Sequence, residues 1–233
     1  MTLAEQAYND LRHDIIRSEL IPASPLRLAD LSQRYGMGFS PLREALNRLQ
    51  AERLVTAESL RGFRVAPLSL DELQDVTSVR ILIETEALRA SIRLGDDDWA
   101  AGIVSSLYAL TVQAKRTGPD ADIWVLEARH HSFHRALLVA CNSPWLLDSF
   151  ERLYAAAERY RIPVLVAAAQ PAGRDVQAEH SQLAEAALDR DADRATVLLR
   201  EHYLETATHL AQLFHLQNLD PGSRERPAQM TRS

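Results

Sequence analysis

Lysine is almost missing from this chain of 233 residues: Lys115 stands alone beside 25 arginines. Arginine is the fork-shaped donor suited to guanine and phosphate, but so complete a bias is read more simply as genomic composition. Cysteine is equally scarce. The single Cys141 excludes an intramolecular disulfide and fits a reducing cytoplasm. No apolar run approaches the ~18 residues needed to span a membrane. The N-terminus MTLAEQAYNDLRHD carries acids and no long apolar core, which excludes a signal peptide. The expectation is a cytoplasmic protein with no membrane partner.

What is present fits a soluble globular chain. Hydrophobic residues make up 46% and charged residues 25%, and the length suits two modest domains. The net charge of −6 is unevenly shared. Residues 1–67 hold nine arginines against eight acids, a net +1, and the remainder holds seventeen basic residues against twenty-four acids, a net −7. Any nucleic-acid contact made by the first part would therefore rest on a local patch.

Residues 4–19 place Ala7, Leu11, Ile15 and Ile16 on one helical face. The prolines of LIPASPLRL end that helix. A short second helix is expected over Ala29–Tyr35, with Gly36 supplying the turn. Ser40-Pro41 reads as the start of a third helix, Ser as cap and Pro at the first helical position. That helix runs to about Glu52 with Leu42, Leu46 and Leu49 inward. LVTAESLRGFRVAPL then has β-branched residues around a Gly-containing turn, which predicts a small hairpin. This order describes a winged helix-turn-helix over 1–67.

From Ser69 the texture becomes helical throughout. Ser69-Leu-Asp-Glu72 has the form of a capping box. Helices are expected at about 69–94, 97–116, 120–140, 143–163, 172–189 and 191–215. Gly95, Gly118-Pro119, Asn142-Ser143-Pro144, Pro163 and Pro171-Ala-Gly173 separate most of them. The fold class is therefore mainly α: the winged helix-turn-helix, then an all-helical antiparallel bundle over 69–215. The polar tail 216–233 is expected to be disordered.

The helix-turn-helix spacing also occurs in ordinary helical proteins, and the hairpin that follows it favours the DNA-reading interpretation. The turn Gly36-Met37-Gly38 would expose the end of the third helix, where Ser40, Pro41 and the free amides suit a phosphate. Arg43 would reach a guanine edge or a phosphate. Arg34 and Arg48 lie where backbone contacts are plausible, and Arg61-Gly62 would bring Arg61 and Arg64 near a minor groove. The stretch PxxxLRLADLSQRYGMGFSPLREALNRLQAERLV…RGFRV resembles the N-terminal domain of GntR-type bacterial repressors, most specifically in P-L-R-E-A-L and R-G-F-x-V. Ser40 and Arg43 match family positions. Where that family often carries Ser-Arg-Thr-Pro, this chain has Gly38-Phe39-Ser40-Pro41, so recognition would lean on Ser40, Arg43 and the Arg61-Gly62 wing.

Six of the eight histidines fall between His130 and His209. His130 and His134 are four apart, about 40° from each other on one helix face. His180 and His202 come from two later helices. Two ligands at i and i+4 completed from separate helices make a plausible metal site in a bundle core. The same spacing also fits capping or surface histidines. His131 is expected on the surface, and His209 and His215 have no special role. Residues 69–215 resemble the FCD-type effector domain of the FadR branch of the same family, in V79-R-I-L-I-E84, F133-H134-R-A-L, N142-S-P-W-L, E179-H180 and the ending at H202. The subgroup regulating glutarate and 4-aminobutyrate catabolism is the most similar.

The resemblance implies a divalent metal, Zn, Ni or Mn by expectation, bound through an Asp and three His. His134, His180 and His202 match those histidines, and His130 occupies the Asp position. It also implies a homodimer on double-stranded operator DNA and a small carboxylate effector near Arg80 and Arg161, with Arg159 at the cavity edge. Arg80 equally fits a structural pair with Glu84. The resulting reading is a ligand-responsive transcriptional regulator, a repressor, and not an enzyme. A metal-dependent hydrolase or oxygenase is the rival, but it needs a carboxylate beside the metal. Glu127 is expected on another turn and Glu179 is expected to point elsewhere. A metal-free dimerisation scaffold is the third reading.

Overall fold

A computed structural model describes residues 1–58, 62–116, 121–166 and 174–216. The described residues form two compact units, one holding Met1–Glu72 with residues 209–216 and the other Leu73–Thr208.

The first unit contains α1 (Leu3–Ile16), β1 (Pro25–Leu26), α2 (Leu28–Tyr35), α3 (Phe39–Ala51), β2 (Val55–Glu58) and β3 (Gly62–Val65). A capping box between Thr2 and Glu5 opens α1. Its expected face, Ala7, Leu11, Ile15 and Ile16, is buried. The helix stops at Ile16 and not at residue 19, and Ser18 just beyond takes a positive φ that cannot continue a right-handed helix. Leu42, Leu46 and Leu49 of α3 are fully buried and share a core with Leu11 and Leu31.

The hairpin is antiparallel, with Val55 opposite Val65 and Glu58 opposite Gly62, which takes φ +86°. A third strand, β1, adds to β3 to give the order β1-β3-β2. Its two residues are too few to show alternation in sequence. Pro25 sits on this edge strand, where its missing N–H is tolerated.

The second unit is built from most of α4 (Leu70–Leu94), then α5 (Asp97–Ala114), α6 (Ile123–Leu138), a 3-10 turn (Val139–Cys141), α7 (Pro144–Val166), α8 (Val176–Leu188) and α9 (Ala192–Leu216) as far as Thr208. Carboxylates set three of the helix starts. Asp96 accepts from the Trp99 amide, Asp122 from those of Trp124 and Val125, and Asp175 from that of Ala178. Ser69 accepts from the Glu72 amide ahead of α4, as expected. Gly95 ends α4 for a steric reason as well, since a Cβ there would meet the Trp99 ring at 2.4 Å.

Pro163 does not end its helix: α7 continues to Val166. The lost backbone bond falls near the helix end, and the turn before it is anchored by buried Tyr160 and Ile162. The core of this unit includes Leu88, Ile103, Phe133, Leu137 and Phe150, all fully buried. Among the described residues no strand follows Val65, and no helix is long and apolar enough to cross a membrane. Leu216 still belongs to α9; the rest of the expected tail lies outside the described residues.

Candidate functional site

Two sites of opposite character emerge, one in each unit. In the first, Gly36 takes φ +64° and closes α2, and its amide bonds the Ser32 carbonyl. The Ser32 hydroxyl donates to the Met37 carbonyl at 2.6 Å, which holds the turn. α3 starts two residues earlier than expected. Gly38 is its cap, so Ser40 lies inside the first turn and does not cap. Gly38 supplies no side-chain acceptor and the first turn has no acid. The amides and the positive dipole end of α3 are left for an external anion.

Phe39, Ser40 and Arg43 are exposed around that end, and Pro41 lies in its first turn. Arg43 has no partner among the described residues. Three of the other candidate arginines do have one. Arg34 bonds Asp14 at 2.5 Å and Glu19 at 3.2 Å, and Tyr35 donates to the same Asp14 at 2.6 Å. Arg48 lies over the Tyr8 ring of α1, 4.1 Å from its centroid. Arg64 donates to the Ala23 carbonyl. Gly62 is exposed at the start of β3, and Arg61 lies outside the described residues.

In the second unit the four histidines converge. His130 and His134 from α6, His180 from α8 and His202 from α9 each offer a ring nitrogen, and these atoms all lie within 4.8 Å of one another. His134, His180 and His202 are buried, and the His130 side chain is 15% exposed. The Nε2 atoms of His130 and His134 are 3.2 Å apart, and His180 Nε2 is buried with no protein partner. Burial pushes all four imidazoles below their ordinary range, His130, His134 and His180 well below it. Mutual proximity adds to this for His130, His134 and His180, whereas Glu179 partly offsets it for His202. Four neutral imidazoles with nitrogens turned to one point, one of them orphaned, suit a divalent transition metal.

A second layer surrounds them. Glu179 Oε2 lies 2.7 Å from His202 Nδ1, and Arg174 grips both Glu179 oxygens at 2.7 Å. Burial alone would raise the Glu179 carboxyl. The hydrogen bonds from His202 and Arg174 outweigh burial and hold it at about 2. The Tyr154 hydroxyl donates to Glu127 at 2.5 Å and lies 2.7 Å from His130 Nδ1. The Tyr203 hydroxyl donates to Glu84 and lies 3.2 Å from His134 Nδ1.

Arg161 forks onto Glu127, and Arg80 donates from Nε to Glu84 at 2.7 Å. Arg80 is buried, and the Arg161 side chain is 11% exposed. Arg80 lies 4.1 Å from the Tyr203 ring centroid and Arg161 4.9 Å from that of Tyr154. The two sequence-derived candidates Arg80 and Arg161 thus border the histidine cluster, each already holding a carboxylate. Arg159 is also buried.

Glu179 is the plain correction: it does not point elsewhere but meets His202. Glu127 likewise reaches the cluster through Tyr154. Tyr154, Tyr203 and Arg174 went unnoticed in sequence, because no fixed spacing links them to a histidine on another helix. His131 is only partly exposed, bonding Glu151 at 2.7 Å away from the cluster.

These features define a winged helix-turn-helix and a helical unit with a buried histidine cluster. Residues 3–65 match the model of the "Bacterial regulatory proteins, gntR family" and residues 75–205 match the "FCD domain". The chain is 39% identical to the HTH-type transcriptional regulator BphR of Paraburkholderia xenovorans (strain LB400), over 92% of this chain and 87% of that one. It is 36% identical to the HTH-type transcriptional repressor GlaR of Escherichia coli (strain K12), over 84% and 90%. The solved structure of E. coli McbR/YncC shares the fold, with a TM-score of 0.74 at 23% identity, covering 92% of this chain and 99% of that one. The chain belongs to the GntR family of bacterial regulators, in its FCD-bearing form, and is a DNA-binding transcriptional regulator, not an enzyme.

Proposed function

We propose that the protein is a repressor that binds operator DNA as a homodimer and is controlled by a small carboxylate taken up at a metal held by His130, His134, His180 and His202. The observation that carries the reading is the charge balance of the buried site. The four histidines are neutral, and Glu84, Glu127 and Glu179 are each matched by Arg80, Arg161 and Arg174. Each of these three glutamates is thus already matched, and none of the three is left to balance a divalent cation. An anion from outside would supply that balance, and carboxylate oxygen is a suitable ligand for such ions. Arg80 and Arg161 border the same space and would orient the anion through donors not engaged with their glutamates.

The metal, when bound, supplies an electrophilic anchor for the carboxylate. DNA contact would run through the α3 end at Ser40, Pro41 and Arg43, through Arg61 and Gly62 of the wing, and more weakly through Arg34 and Arg48. Two copies would set their α3 helices one DNA turn apart, ~34 Å, on a near-palindromic site. The carboxylate would bind one arrangement of the dimer better and shift the population away from the DNA-competent one. The name of GlaR, a repressor, favours repression over activation.

The test is a gel shift on the DNA upstream of the protein's own gene, using metal-loaded and chelator-treated protein with a series of small mono- and dicarboxylates. Release of DNA by a carboxylate only in the loaded protein is expected. Equal response with and without metal sinks the metal-effector link. Unchanged metal content in both His134→Ala and His180→Ala removes the site.

A further inference from the structure

Two of the four histidines are held by chains of the same composition, running arginine, glutamate, tyrosine, histidine. In one chain Arg161 holds Glu127, Tyr154 donates to Glu127, and His130 Nδ1 lies 2.7 Å from the Tyr154 oxygen. In the other Arg80 holds Glu84, Tyr203 donates to Glu84, and His134 Nδ1 lies 3.2 Å from the Tyr203 oxygen. The first chain joins α6 to α7, and the second joins α4, α9 and α6.

A tyrosine hydroxyl has one proton. A carboxylate gripped by a buried guanidinium is an acceptor only, so it takes that proton. The hydroxyl oxygen can then only accept from the imidazole. It follows that Nδ1 carries the hydrogen in both His130 and His134, and that Nε2 keeps its lone pair. Two such lone pairs then face each other at 3.2 Å, an arrangement that a shared cation stabilises and that nothing else in the two chains relieves. His202 reaches the same state more directly, with its Nδ1 on the Glu179 carboxylate.

We propose that Tyr154 and Tyr203 are positioning residues of the metal centre, each locking one histidine in the tautomer that turns its Nε2 lone pair toward the ion. The inference rests on the metal reading above. It also gives Arg80 and Arg161 a second task, since each polarises a tyrosine through its glutamate. Partners that orient a metal-bound histidine are commonly worth about 10–100-fold in metal affinity.

The test uses full-length Tyr154→Phe and Tyr203→Phe beside wild type. Tyr35→Phe, which removes a comparable hydroxyl from Asp14 in the other unit, is the control. Zn2+ affinity is measured by competition with a chromophoric chelator. Histidine 15N correlation spectra of chelator-treated protein report the tautomers, a readout independent of metal and of stability. Each tyrosine variant is expected to lose about 10–100-fold in Zn2+ affinity and to replace the single Nδ1–H signature of His130 or His134 with a mixture. Tyr35→Phe should change neither. Wild-type affinity in both variants, or unaltered tautomer signatures, overturns the role of the tyrosines while leaving the metal site standing. No Zn2+ uptake by the wild type overturns both.

Discussion

Arg43 and Arg80 carry the same side chain under opposite conditions. Arg43 stands exposed at the open end of α3 with no partner among the described residues, beside amides that no side chain caps. Arg80 is buried, paired with Glu84 and stacked on Tyr203. In the first unit the polar groups that matter face outward and await a ligand. In the second they face inward and are almost fully matched to one another. The difference shows which arginines are available for recognition. Arg34 looks eligible in sequence but is tied to Asp14, and Arg48 rests on Tyr8. On the proposed function, an unpartnered arginine beside a free helix end marks the DNA contact better than arginine density does.

The largest effect expected from this contrast is on stability. Glu84→Ala would leave Arg80 buried without its carboxylate and Tyr203 without its acceptor. Breaking a buried pair in this way typically costs about 3–5 kcal/mol. Urea unfolding should show that loss in the transition of the helical unit. Arg43→Ala, with no partner to lose, should stay within about 0.5 kcal/mol of wild type. Equal losses in the two variants would erase the distinction between the sites.

Acid should sharpen the contrast further, by a smaller amount. Burial holds the four clustered imidazoles below their ordinary range, helped in His130, His134 and His180 by their mutual proximity. In the unfolded chain they titrate near ~6.5. Below that pH the unfolded chain binds more protons than the folded one, so stability is complete above about pH 7 and falls as pH drops toward the folded values. Chelator-treated protein should be less stable at pH 5.5 than at pH 7.5. The helical unit should carry the loss, read from urea midpoints at the two pH values. A flat profile would mean that the imidazoles are not buried as described. Saturating Zn2+ should protect at the higher pH by mass action.

The two sites also differ in how far sequence could reveal them. α2, its Gly36 turn, α3 and the hairpin are local, each set by periodicity and turn residues within a few positions. They were legible almost to the residue. The exceptions were Gly38 taking the cap expected of Ser40, and β1, too short to carry a pattern. The histidine cluster was legible as a plausible set, the i, i+4 pair completed by His180 and His202 from later helices, and the family resemblance strengthened it. The surrounding chains were not legible, because Glu84 to Tyr203 spans 119 positions and Glu127 to Tyr154 spans 27. Only packing of the helices sets such pairs. Glu179 was misread for a related reason: its 100° offset from His180 along α8 turns it toward α9, where His202 waits.

The smallest expected effect is the most direct test of the outward-facing site. Arg43→Ala should weaken binding to the protein's own upstream DNA by about 1–3 kcal/mol if it reads a base edge. Ser40→Ala, losing one hydroxyl to a phosphate, should weaken it by about 0.5–1.5 kcal/mol. Arg48→Ala should do less than Arg43→Ala. Arg48 lies five residues further along α3, about 140° around the helix, and its guanidinium already covers the Tyr8 ring. Titrations at two salt concentrations separate the roles: a phosphate contact lowers the salt slope by about one for each charge removed. Loss of sequence preference with Arg43→Ala and none with Arg48→Ala would place base reading at the α3 end. If Arg48→Ala proved the more damaging, the DNA would have to lie along the flank of α3 facing α1, and the exposed amides at Gly38–Ser40 would not be the anion site.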